Sequence, residues 1–343
     1  MAFGTLAQSL DLQSNSRACL RFAQLANVVK PWSLYAMEIN KSKCRLCLSE
    51  TDLRKSHIIP AFVIRWLKDT SATGFLRKGT APNLRVQDGL TNKLLCSACE
   101  NLFSQWEKQF AENIFTPYVS AELSIDGVAQ GIHKSFKYSD WLLKFLISVH
   151  WRLLVHETEA ANFDISQKLY QLILEHIDIW RKFLLSQSST TGQNETHLIF
   201  LQSFIGGEGS LPSEISDRVN FYLIRAIDGT TVYSDANLGV YSKFGPIAAI
   251  TMLKPSSIPT SRMKNTKLHM KGDIQTVQEI GDPFVTEFIF VNRPNEIFAS
   301  LVLNAQQKEK IAASMSKDIS RALKSQSVRI KEQEKFMRLF KEK

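Results

Sequence analysis

Four of the five cysteines in this 343-residue chain stand in two C-x-x-C pairs, Cys44-Arg45-Leu46-Cys47 and Cys96-Ser97-Ala98-Cys99. Thiolates at this spacing suit a tetrahedral zinc shell, because two intervening residues let one tight turn aim both sulfurs at the same ion. Two disulfides, or four ordinary buried cysteines, are the plainer alternatives. Between the pairs lies Leu53-Arg54-Lys55-Ser56-His57-Ile58-Ile59-Pro60. An imidazole such as that of His57 changes charge near neutrality and can accept a proton from water. Phosphodiester hydrolysis also needs a metal to neutralise charge on the scissile phosphate and the leaving oxygen. Glu100 and Asn101, directly after Cys99, and Glu107 beyond them offer carboxylate and amide donors near the same scaffold. Each has a plainer role. His57 can cap the zinc loop through a carbonyl. Glu100 can complete a capping box with Ser97 as N-cap. Glu107 reads as solvated.

The elements that must hold these residues can be read in order. Cys44 to Cys47 predicts a knuckle on a short hairpin, and Lys55 to Ile59 a short strand. Pro60 pre-sets the entry into a helix over Ala61 to Lys68. Thr70 to Gly89 reads as a loop that ends in the turn signal Gln87-Asp88-Gly89. The second cysteine pair opens a helix, since Leu102, Phe103, Trp106 and Phe110 recur at helical spacing. Knuckle, hairpin and second pair at a helix start make a treble-clef (ββα-metal-like) arrangement.

Cys-x-x-Cys, then His-Ile-Ile-Pro, then Cys-x-x-Cys resembles the zinc-stabilised branch of the HNH endonucleases over about one fifth of the chain, Cys44 to Phe110. The resemblance implies a metal-dependent nuclease acting on DNA. In it His57 is the general base, Asn92 (or, in poorer register, Asn83) orients that base, and Glu100 helps hold a catalytic Mg²⁺ or another divalent cation. The structural Zn²⁺ falls to Cys44, Cys47, Cys96 and Cys99. The chain departs from the family at Ser56, where an Asp or Glu ligand is usual; a hydroxyl is a poor ligand for a hard cation.

Composition fits a polyanionic partner. The formal net charge is +9 and the sequence pI about 9.2. From Lys41 to Phe110 there are twelve Lys and Arg against six Asp and Glu. Arg54, Lys55, Arg65, Arg77, Lys78 and Arg85 are the candidate phosphate contacts, which would give affinity without sequence reading. A solvated surface is the alternative. Cysteines in metal-like spacing fit a reducing, cytoplasmic setting.

Residues 1–40 are poorly specified, and Met37, seven positions before Cys44, is the expected true start. Residues 41–118 form the zinc domain and 135–303 a second, α+β domain. In the latter, Ser139 caps a helix running to about His156 that is apolar on nearly all faces, so it is buried in a core. It is too short and too charged for a membrane span. His150 and His156 read as core or helix-end residues. An amphipathic helix over Ile165 to Leu185 follows. Strands are then expected at Thr196 to Phe204, at Val219 to Ile227 turning through Asp228-Gly229 into Thr230 to Ser234, at Val240 to Phe244, at Ile247 to Leu253 and at Phe284 to Asn292. Residues 304–343 read as one basic helix with an apolar stripe of Ile311, Met315, Ile319 and Leu323. Fold class is therefore α+β, with a helical layer on a mostly antiparallel sheet. Two functions remain open: the nuclease, and a non-catalytic zinc module that binds nucleic acid or a protein partner.

Overall fold

The structure, a computed structural model, describes residues 42–79, 81–122, 134–160, 165–203 and 214–341. Cys19, the expected start at Met37 and the rest of the N-terminal segment lie outside the described residues, as do the side chains of Phe336, Met337, Leu339 and Phe340. The chain is α+β, and among the described residues every strand pair is antiparallel.

Strands β1 (Ser42–Lys43) and β2 (Glu50–Thr51) pair around the first cysteine knuckle. Its turn is closed by Cys44 N–H to Ser49 O and by Leu48 N–H to Cys44 O, with Leu48 in the left-handed region at φ 65°. Strand β3 (Leu53–His57) leads through Ile58-Ile59-Pro60 into α1 (Ala61–Asp69). The stretch expected as a loop instead contains the hairpin β4 (Leu76–Lys78) and β5 (Ala81–Val86). Its strands bury only Leu76 and Pro82, too few to write a period-two pattern, and its partner lies more than two hundred residues away: Arg77 donates to Gln307, and Asn83 exchanges bonds with Val302 and Asn304. Strand β6 (Thr91–Cys96) pairs with β3 from Leu53↔Cys96 to His57↔Thr91 and runs directly into α2 (Ser97–Phe110). A π-helical turn (Ala111–Phe115) joins α2 to α3 (Thr116–Glu122).

Beyond β7 (Ser135–Tyr138), helix α4 (Asp140–Thr158) is buried along its length, as its all-round apolarity requires. It packs on α2, on α5 (Gln167–Leu184) and on the central sheet. That sheet contains β8 (Glu195–Phe200), β9 (Ile227–Tyr233), β10 (Leu238–Phe244) and β11 (Ile247–Lys254) in the order β8-β11-β10-β9. The strand expected over Val219 to Ile227 is instead helix α6 (Val219–Arg225), and Asp228-Gly229 lies inside β9 rather than in a turn. Two contacts made by these residues explain the difference. Asp228 is held by Arg293 at 2.7 and 2.8 Å. Gly229 leaves room for Leu153 of α4, whose Cδ2 would lie 2.8 Å from an added Cβ.

Short pairs follow, β12 (Met263–Lys264) with β14 (Glu279–Ile280) and β13 (Gly272–Gln275) with β7. The last expected strand, Phe284 to Asn292, is helical: α7 (Pro283–Glu287), a π-helical turn (Phe288–Asn292) and α8 (Arg293–Ser300). Asp282 caps it by accepting Val285 N–H, Pro283 sits at the first position, and the buried Val285 and Ile289 are four apart. The basic C-terminal segment is likewise three helices, α9 (Ala305–Lys317), α10 (Ile319–Lys324) and α11 (Gln326–Lys341). Asp318 starts α10 by accepting Arg321 N–H, and this break rotates the expected stripe out of register: Ile319 and Leu323 are exposed and α9 buries nothing. Docking comes instead from Ala322, Ile330 and the buried Glu334, which accepts Phe221 N–H.

One hydrophobic core runs from Cys44 and Leu46 through Phe103 and Phe110 to α4, α5 and one face of the sheet (Val240, Phe244). A second lies on the other face, around Tyr222, Tyr241, Ile250, Val285 and Ile289. The first joins the cysteine-bearing segment to the α+β segment without a break. Among the described residues no helix is long and apolar enough to cross a membrane. Gly245, between β10 and β11, has φ +61°, and an added Cβ would lie 2.5 Å from the Trp66 ring. Gly245→Ala should destabilise the fold by at least roughly 1–3 kcal/mol through backbone strain alone, seen as a lower melting temperature; an unchanged melt would refute this packing of α1 on the sheet.

Candidate functional site

The sulfurs of Cys44, Cys47, Cys96 and Cys99 all lie within 4.8 Å of one another. The β3–β6 ladder creates this cluster by running Cys96 to the same end as the knuckle, and the first turn of α2 adds Cys99. Cys47 and Cys96 are 3.8 Å apart, far beyond the S–S bond length of about 2.05 Å; all four thiols are free. Cys96 N–H donates to Cys44 Sγ. Burial pushes the Cys44 and Cys99 thiols up. Partial burial pushes the Cys47 thiol up, but bonds with Ser49, Cys44 and Cys99 together outweigh it and draw Cys47 down to about 6. Four converging soft donors can hold a metal ion such as zinc.

The capping box is not formed. Cys96 is the N-cap, because it must stay extended to reach the cluster, and Ser97 lies inside the helix. Ser97 Oγ accepts from Arg54 Nε at 2.7 Å. Glu100 Oε2 accepts from the hydroxyl of the fully buried Ser56 at 2.5 Å. Glu107 is not solvated either: it pairs at 2.7 Å with Arg152.

His57, the last ladder residue of β3, is 25% exposed and lies 2.8 Å through Nε2 from Asp88 Oδ1. Successive strand residues point to opposite faces, so Ser56 meets α2 while His57 turns toward residues 87–89. The bond from His57 holds the Asp88 carboxyl below its ordinary value, with Gly89 N–H and Lys55 assisting against slight desolvation. An ionised carboxylate only accepts, so Nε2 carries the proton and a neutral His57 offers its Nδ1 lone pair.

Asn92, expected to orient the base, does not contact it. Asn92 sits across the ladder from Ser56, and its Nδ2 lies 3.2 Å from His156 Nδ1. Asn83 bonds Val302 and Asn304. Asp88 is the residue that meets the imidazole. It was legible only as the middle of a turn signal, since nothing local tells a turn-forming Asp from one whose second oxygen reaches a neighbouring strand.

The candidate phosphate contacts divide. Arg77 is committed inward, to Pro82 O and Gln307, with its pKa lowered by desolvation and by Arg85. Arg85 lies over the Phe75 ring at 4.0 Å, and Arg54 holds Ser97. Lys55, Arg65 and Lys78 are exposed and, among the described residues, form no ion pair. Lys55 shares the His57 side of β3 and stands opposite Lys93, also exposed and missed from the sequence.

Compared with family models, with curated proteins and with solved structures, the chain matches none.

Because the Asp88 pKa is depressed on folding, its contribution to stability is present above the unfolded value of about 4 and is lost as pH falls through the lower folded value. The melting-temperature difference between the parent and Asp88→Asn should therefore be steady just above pH 5 and shrink toward pH 2.5; a difference independent of pH would mean that the carboxylate makes no such contact.

Proposed function

We propose that this protein is a metal-dependent endonuclease that hydrolyses DNA phosphodiester bonds, built on a treble-clef zinc scaffold like that of the HNH enzymes. The observation that carries the reading is His57: half-buried, bonded through Nε2 to a carboxylate, and mounted on the strand whose other end runs beside the four-cysteine cluster. In this reading Zn²⁺ on Cys44, Cys47, Cys96 and Cys99 fixes the start of α2 against β3. Asp88 orients the ring, and Nδ1 of His57 takes the proton from water. Glu100 fits a Mg²⁺ site in part: this ion commonly uses one or two protein carboxylates and keeps waters, but Ser56 adds only a hydroxyl. When bound, such a cation would neutralise charge on the scissile phosphate. Lys55, Arg65 and Lys78, with Lys93, are free to meet the phosphate backbone.

A second reading is favoured by one contact. Ser56 and Glu100, the positions at which the resemblance would put metal ligands, bond each other at 2.5 Å. A chain in which that bond persists is a non-catalytic zinc module that binds nucleic acid or a protein partner.

Freshly purified protein should carry about one zinc per chain, and Cys96→Ser should lose both the metal and soluble fold, since binding energy at a structural site is folding energy. Folded protein free of zinc by elemental analysis would defeat the scaffold. With plasmid DNA and Mg²⁺, Mn²⁺ or Ni²⁺, the parent should nick. His57→Ala should slow nicking by about 10²–10⁴-fold at unchanged zinc content, while Lys55→Ala and Arg65→Ala should weaken binding and flatten its salt dependence. Binding without cutting under every metal would select the second reading.

A further inference from the structure

We propose that Arg152, on α4, is a positioning residue for His57; this rests on the endonuclease reading. Arg152 is 95 residues from His57 in sequence and its side chain is 1% exposed. Its fork reaches three acceptors on three elements. Nη1 donates to the backbone carbonyl of His57 at 2.6 Å. Nη2 donates to Glu107 Oε1 of α2 at 2.7 Å. Nε donates to Ser148 O, one turn back along its own helix, at 3.3 Å. The guanidinium carbon lies 5.5 Å from the centre of the Phe103 ring, also on α2. A buried guanidinium is retained only where such partners satisfy it.

The clamp sits where β3 needs one. His57 is the last ladder residue, and beyond it only Ile58 N–H to Leu90 O continues toward β6 before the chain turns into α1. The His57 carbonyl is therefore the point at which the peptide carrying the imidazole can be tied to the rigid body, and Arg152 ties it to a long helix buried over most of its length. Among the described residues the polar partner of the ring is the exposed turn carboxylate of Asp88. Asp88 sets the rotation of the ring and Arg152 the position of its backbone. A planar fork is required, because a lysine offers one ammonium point charge and cannot hold two divergent acceptors in fixed geometry. The α+β segment thereby acquires a role in catalysis without touching substrate.

The test separates the clamp from the ion pair. Glu107→Gln removes the partner's charge but keeps an amide oxygen that can accept from Nη2, so Arg152 stays on the His57 carbonyl. Arg152→Met combined with Glu107→Gln removes the clamp without stranding a buried carboxylate. On plasmid DNA, with zinc content and melting temperature recorded, Glu107→Gln should keep the parental kcat. The double variant should lose about 10–100-fold in kcat, the scale of a small misplacement of a catalytic group, with KM and zinc unchanged. A double variant that turns over like Glu107→Gln overturns the proposal, as does a loss in which kcat, KM and zinc content fail together. Should the double variant not fold, Arg152→Lys decides: parental melting with reduced kcat sustains the clamp, and parental kcat ends it. If the parent cuts nothing, the nuclease reading fails by itself. Hydrogen exchange over residues 57–60 then decides the clamp, faster exchange in the double variant than in Glu107→Gln supporting it and equal rates overturning it.

Discussion

The convergence of four sulfurs from two segments half a hundred residues apart is the constraint on which the rest of this structure depends. Cys96 must end β6 at the knuckle, so β6 must run antiparallel to β3, and His57 must then fall at the far end of the ladder. Cys99 must lie one turn into α2, so that helix must start at Cys96, and Glu100 is thereby aimed at Ser56. Clustered thiols whose pKa values are pushed up by burial gain little from one another without a cation. Four soft donors around one metal would convert that crowding into a rigid corner.

What holds the corner to the body is a set of arginines, two of them, Arg152 and Arg225, buried. Arg152 ties the end of β3 to α2 and α4. Arg225 of α6 caps the C-terminus of α1 through Leu67 O and the Thr70 hydroxyl, and also meets Gln326 of α11. Arg321 of α10 adds bonds to Lys68 O and Ser71 O. The element that runs on from His57 is therefore gripped at both ends by residues from the C-terminal two thirds. These bonds reach carbonyls in and just after the last turn of α1, where a helix leaves acceptors without intrahelical partners. Aromatic packing fills the space between them, with Phe62 and Trp66 of α1 against Phe115 at 5.1 and 5.4 Å.

The histidines show why one site stands apart. His150, at the centre of α4, is enclosed by Thr251 and Ser242, and burial pulls its pKa to about 3. Burial likewise draws His197 down to about 4, and lowers His176. Such rings stay neutral at physiological pH and serve as hydrogen-bonding wedges. His57 differs in being open to solvent on one side and bonded to an ionised carboxylate on the other. That combination leaves a ring nitrogen of His57 both oriented and reachable.

The sequence by itself determined the features written in local spacing. The cysteine pairs, the proline entry to α1, the helical period after Cys99, the all-round apolarity of α4 and the two strands Val240 to Phe244 and Ile247 to Leu253 each depend on residues close to one another in sequence. Where a polar residue's partner is distant, the local signal misled. Ser97 and Glu100 spelled a capping box but bond Arg54 and Ser56. Asp228-Gly229 spelled a hairpin turn but serves Arg293 and Leu153. Asn92 matched the place of an orienting residue, yet the ladder turned it toward His156 and left Asp88 to meet the imidazole. Glu107 passed for a solvated acid until α4 brought Arg152 against it. Tertiary structure decided all of these. Where a partner is buried, as Ser56, Asp228 and Arg152 are, an unpaired polar group is costly enough that its long-range partner overrides what its neighbours in sequence would favour. At the exposed Ser97 and Asp88, the packing of strand, turn and helix brings a distant partner within reach.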